Sequence, residues 1–81
     1  MSSKSRATFN VVKKSNYKVI GSITVKSNRD FKVNGKIDGD FDTSRTIKFL
    51  VKNLIKENKL STETTGEINL DENIILKREE D

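Results

Sequence analysis

Three aspartates stand at alternate positions in the stretch KIDGDFDTSR: Asp38, Asp40 and Asp42. Carboxylates two residues apart are how a calcium loop opens. Such a loop has oxygen ligands at positions 1, 3 and 5, a glycine at 6 and a bidentate glutamate at 12. Counted from Asp38, position 6 is Thr43 and position 12 is Phe49, so the glycine and the closing carboxylate are both missing. Alternation is equally the mark of one wet face of a strand, and a period-two pattern already runs from Phe31 into this stretch. The expectation is no metal. Asp38 and Asp40 finish the outward face of a strand. Asp42, Thr43 and Ser44 are acceptors for the free N–H groups of a following helix, where an aspartate charge also favours the positive dipole end.

The second chemistry is cationic. Net charge is +4, with basic residues dominating the first part of the chain and acidic ones the last. Arg45, Lys48, Lys52, Lys56 and Lys59 recur at spacings of three and four, which places them in one stripe of a helix. Phe49 lies beside that stripe, either exposed or tucked under the loop Ser61 to Gly66. A basic row with an adjacent aromatic can hold phosphates and stack a base, or anchor an acidic protein partner. A second basic set, Lys18, Lys26, Lys32 and Lys36, points outward from two adjacent strands together with Ser22, Thr24 and Asn34. These residue types contact phosphates and base edges, and sheets do enter DNA grooves. The blander reading of both sets is a solvated helix face and lysines that guard sheet edges against aggregation.

Much chemistry is excluded by composition. There is no His and no Cys, which removes the commonest general base, the thiolate nucleophile and the usual zinc ligands together. Ser and Thr are plentiful but have no such partner to activate them, and no glycine-rich phosphate loop is present. A non-enzymatic protein without a cofactor is expected. Met1 to Arg6 is polar and basic with no apolar run behind it, and no stretch approaches the roughly 20 apolar residues that span a bilayer. The expected location is cytoplasmic, with no membrane partner.

The elements that must position these residues follow from periodicity. ATFNVVKK reads as a first strand. In YKVIGSITVK, Tyr17, Val19, Gly21, Ile23 and Val25 share one face, and Lys18, Ile20, Ser22, Thr24 and Lys26 the other. FKVNGKIDGDF alternates in the same way, with Phe31 through Phe41 at odd positions inward. Turn signals at Ser15-Asn16 and Ser27 to Asp30 separate the three, which predicts an antiparallel meander with one wet face. The period then becomes helical: Ile47, Leu50, Val51, Leu54 and Ile55 form one apolar stripe. The segment EINLDENIILK is either one further strand or a hairpin turning at Asp71-Glu72-Asn73. The fold expected is α+β, β-β-β-α-β, with the helix on the inner face of the sheet. The 81 residues form a single small domain, frayed over 1–6 and 78–81. With 32% hydrophobic residues and no disulfide, such a domain gains from association, so a homodimer is a further expectation.

A three-stranded sheet backed by one helix resembles, in architecture, the small DNA-binding modules of some integrases. The ending INLDENIILKRE resembles the closing hairpin of swapped-hairpin transcription factors of the AbrB and MazE kind, whose Gly/Arg-rich, Pro-containing half has no counterpart here. The function expected is a small nucleic-acid-binding or regulatory module acting through Lys18, Lys26, Lys32 and Lys36 or through Arg45, Lys48, Lys52 and Lys56. The alternative is a protein-binding module built around Phe49, such as a small inhibitor, adaptor or accessory protein of phage or mobile-element type.

Overall fold

In a computed structural model, which describes residues 6–39 and 41–79, the chain forms one five-stranded antiparallel sheet covered on one face by a single helix. The strands are β1 (Arg6–Lys13), β2 (Lys18–Lys26), β3 (Phe31–Val33), β4 (Glu67–Asp71) and β5 (Ile74–Arg78); the helix α1 spans Phe41–Lys56. Spatial order is β3-β2-β1-β5-β4. The meander and the helix are as expected. The C-terminal segment resolves into a hairpin turning at Glu72-Asn73, and β5 docks against β1 at the centre of the sheet. Arg6 opens β1 and Arg78 closes β5, so the sheet reaches one residue further at each end than expected.

The core lies between sheet and helix. Phe9, Val11, Ile23, Val25 and Leu76 from the strands meet Ile47, Val51 and Ile55 of α1 in one cluster of buried side chains. Burying several such side chains at about 1.5–3 kcal/mol each is what a chain with no disulfide has to set against its conformational entropy. Leu50 and Leu54 flank the helical stripe, half-buried. The helix ends in a Schellman-type arrangement. Asn58 adopts a left-handed conformation (φ 62°), Lys59 N–H donates to the Leu54 carbonyl at 2.9 Å, and Asn58 N–H donates to the Ile55 carbonyl at 3.1 Å. Leu60 then turns back into the core.

Two irregularities change which residues face outward. Val11 pairs with Gly21 but Val12 pairs with Val19, leaving Ile20 as an extra residue in β2. This bulge inverts the alternation of everything before it. Ile20 is buried at 9% exposure, whereas Val19 (55%) and Tyr17 (61%) face solvent, the reverse of the sequence expectation. Lys18 turns with Ile20 to the helix side, where its Nζ lies 3.9 Å from Asp38 Oδ2. The second irregularity is in β3, which stops at Val33. Gly35 is left-handed (φ 73°), and the chain detours before Asp38 N–H donates to the Ile20 carbonyl at 2.6 Å. The detour drops Ile37 onto Gly21. A β-carbon at residue 21 would stand 3.0 Å from Ile37 Cγ1, so the absence of a side chain there makes room for a buried isoleucine.

The expected strand to Phe41 is therefore too long. Phe41 opens the helix, and Asp42 sits within its first turn rather than before it, where its charge still complements the dipole. Asp40 falls outside the described residues.

Candidate nucleic-acid interface

At about 100° per residue, the exposed cations and aromatic rings of α1 sort into one band, with the exposed Asp42 and Thr46 just beyond its Phe49 edge. Lys48, Phe41, Lys52, Arg45, Lys56 and Phe49 fall in that order around the axis within an arc of about 100°. All six are exposed. None of the four cations makes an ion pair or side-chain hydrogen bond with a described residue. Phe41 is 77% and Phe49 63% exposed, so Phe49 stands free of the loop at Ser61 to Gly66. That loop is held elsewhere: Arg78 Nη1 donates to the carbonyls of Thr62 and Thr64 at 2.7 Å each, and its guanidinium sits 5.9 Å from the Phe9 ring centroid. Lys59 lies beyond the helix and pairs with Glu57 at 3.5 Å, so the free stripe ends at Lys56.

The stripe continues past the helix. At its C-terminal end a cleft of about 480 Å³ opens between α1 and the β2–β3 turn, lined by Arg29, Asp30, Phe31, Lys52, Ile55 and Lys56. Arg29 is in the left-handed region (φ 67°) within that turn, and its side chain carries no ion pair among the described residues. Asp30 is committed to its own turn, its Oδ1 accepting from Phe31 N–H at 2.8 Å. The surface from Phe41 to this cleft thus carries five cations, Arg45, Lys48, Lys52, Lys56 and Arg29, with aromatic rings at intervals and the carboxylates of Asp42 and Asp30 at its two ends.

The outer face of the sheet is a weaker cationic surface than expected. Lys26 and Lys32 are exposed and lie on it by register, each beside polar neighbours. Asn34 Nδ2 donates to Thr24 Oγ1 at 2.8 Å and Ser22 Oγ at 3.1 Å, which ties up the amide and hydroxyls that would read a ligand. Lys18 has left this face through the bulge, and Lys36 lies in the loop after Gly35 rather than on a strand. Glu67 pairs across from Lys77 on the same face, which dilutes the charge further. At its far end the face becomes apolar. Val19, Val12 and Ile75 form a cross-strand row; Val12 and Ile75 are buried although they lie outside the helix-side core, and Tyr17 stands exposed at the adjoining turn.

Helix and sheet surfaces point in opposite directions across the two-layer core, so Lys26 and Lys32 do not share a footprint with Lys48 and Lys52. Two exposed features escape a reading of the sequence by alternation. Parity assigns Phe41 to an inward strand position, and the same rule turns Tyr17 and Val19 inward. The glycine at position 35 and the polar turn at Asn16 are the available warnings that strict alternation fails. Among the described residues no cluster of acidic side chains is arranged to hold a metal ion, and no helix is long and apolar enough to cross a membrane.

No family model, curated protein or solved structure matches this chain.

Proposed function

We propose that the protein is a small non-enzymatic nucleic-acid-binding module, and that its contact surface is the outward face of α1. The observation that carries this reading is the row Arg45, Lys48, Lys52 and Lys56, exposed, without an ion pair among the described residues and continuous with the Arg29 cleft. Cations three or four residues apart on a helix recur about every 4.5–6 Å, a spacing that lets each meet a different phosphate of one strand. Their counterions are released on binding, so affinity is expected to fall steeply with salt. Titration of labelled duplex and labelled single strand at two salt concentrations, with light scattering on the same samples, tests it. Absence of binding to both at low salt overturns the reading.

A second reading, a protein-binding module, is favoured by the exposed Tyr17–Val19 patch on the opposite face, which adjoins the apolar Val12 and Ile75. It predicts that substitutions at Tyr17 and Val19 abolish partner capture while charge reversal on α1 does not.

A further inference from the structure

We infer that the ligand of the α1 face is single-stranded nucleic acid, with bases stacking on Phe41 and Phe49; this rests on the proposed function and narrows it. Five aromatic side chains exist in the chain, four Phe and one Tyr. Phe9 is fully buried in the core and Phe31 is half-buried against it. Phe41 and Phe49 do neither, although apolar burial would have held them inside had they been structural. They lie eight residues apart on one helix, which is about 12 Å along the axis and about 80° around it. Arg45 stands one turn from each of them, on the same ridge, and Lys48 and Lys52 border the ridge.

This arrangement suits a single strand better than a duplex. A duplex buries its base faces, so it would meet the cations and leave two phenyl rings against phosphate and sugar. A single strand offers base faces, and aromatic rings take any base because every base has a π-face. A strand whose bases unstack to meet the rings bridges the axial gap of about 12 Å with a few nucleotides. Two bases of one short segment can therefore reach the two rings while the phosphates between them pass Arg45, Lys48 and Lys52. Further along, Phe31 in the Arg29–Lys52–Lys56 cleft offers a third, partly enclosed aromatic surface beyond the helix end. An anionic membrane or an acidic protein would satisfy the charges too, but each gains more from rings gathered into one apolar patch than from rings set apart by a guanidinium.

The chain contains no Trp, so Phe49→Trp makes a single fluorescent reporter. Its emission is expected to be quenched by oligothymidylate and left nearly unchanged by a duplex of equal charge. Phe41→Ala and Phe49→Ala should each weaken oligothymidylate binding about tenfold, which is about 1.4 kcal/mol. They should change duplex binding less than about twofold and leave the salt slope intact. Urea unfolding of both variants controls for folding, and exposed rings should cost little there. Equal losses for single strand and duplex, or no loss for either, overturn the stacking inference. If Lys48→Glu and Lys52→Glu then still abolish binding, the cationic reading survives without it. Quenching of the F49W reporter by phosphatidylserine vesicles or polyglutamate, but not by oligothymidylate, overturns both.

Discussion

The bulge at Ile20 decides which lysines reach the sheet face, and a pair of substitutions at neighbouring positions tests it. Strict alternation puts Val19 in the core and Ile20 in water; the structure puts Ile20 at 9% exposure and Val19 at 55%. Ile20→Ala removes methylenes from the core cluster that Ile20 shares with Ile37 and Ile47. Deletions of this kind cost about 2–5 kcal/mol, and a site with some residual exposure belongs near 2–3. Val19→Thr keeps the β-branch and the volume, changing only polarity at a position already in water. It is expected to cost under about 0.5 kcal/mol. Equilibrium urea unfolding of the two variants and the parent, with a common slope, gives both values. A larger loss for Val19→Thr than for Ile20→Ala would refute the bulge, return Lys18 to the outer face and restore the sheet as the leading cationic surface.

Three further outcomes follow from particular contacts. Gly21→Ala is expected to destabilise by about 1–2 kcal/mol because its methyl meets Ile37, and the cost should shrink in an Ile37→Ala background, as a double-mutant cycle would show. Arg78→Met keeps the stem but removes both donors to the Thr62 and Thr64 carbonyls; a loss of about 2–3 kcal/mol is expected after some replacement by water, and faster hydrogen exchange should be confined mainly to the loop at 61–66. Tyr17 holds a left-handed conformation (φ 54°) that costs a non-glycine residue about 1 kcal/mol, so Tyr17→Asn should raise stability in the same urea assay.

The fold is legible in the sequence where one period runs unbroken. Phe9 and Val11 in β1, Ile23 and Val25 in β2, and the Ile47–Val51–Ile55 stripe of α1 are all where alternation and helical spacing put them. The helical cations are legible for the same reason, since a helix of 16 residues leaves no room for a parity error. The failures share one cause. A single extra residue at Ile20 or a left-handed Gly35 reverses or ends a strand pattern without altering composition, and the reversal moves Lys18, Val19 and Tyr17 at once. Parity misplaces Phe41 because the β3 pattern can be extended to it on paper, whereas the strand ends at Val33 and the Gly35 detour follows. Partner chemistry is less legible still, because a solvated helix face and a phosphate-binding one use the same lysines.

The exposed cations of α1 are proposed to meet phosphates. The most direct test is the salt dependence of nucleic-acid affinity, measured for the parent and for Lys52→Ala. With four helical cations engaged, log K against log salt should fall with a slope of about −3, from about −0.7 per contact on single strands to −0.9 on duplex. Lys52→Ala should make that slope shallower by about one contact, while Lys32→Ala on the opposite face should leave it unchanged. A slope indifferent to Lys52, or one that responds to Lys32 instead, would contradict the assignment of the binding surface to the helix.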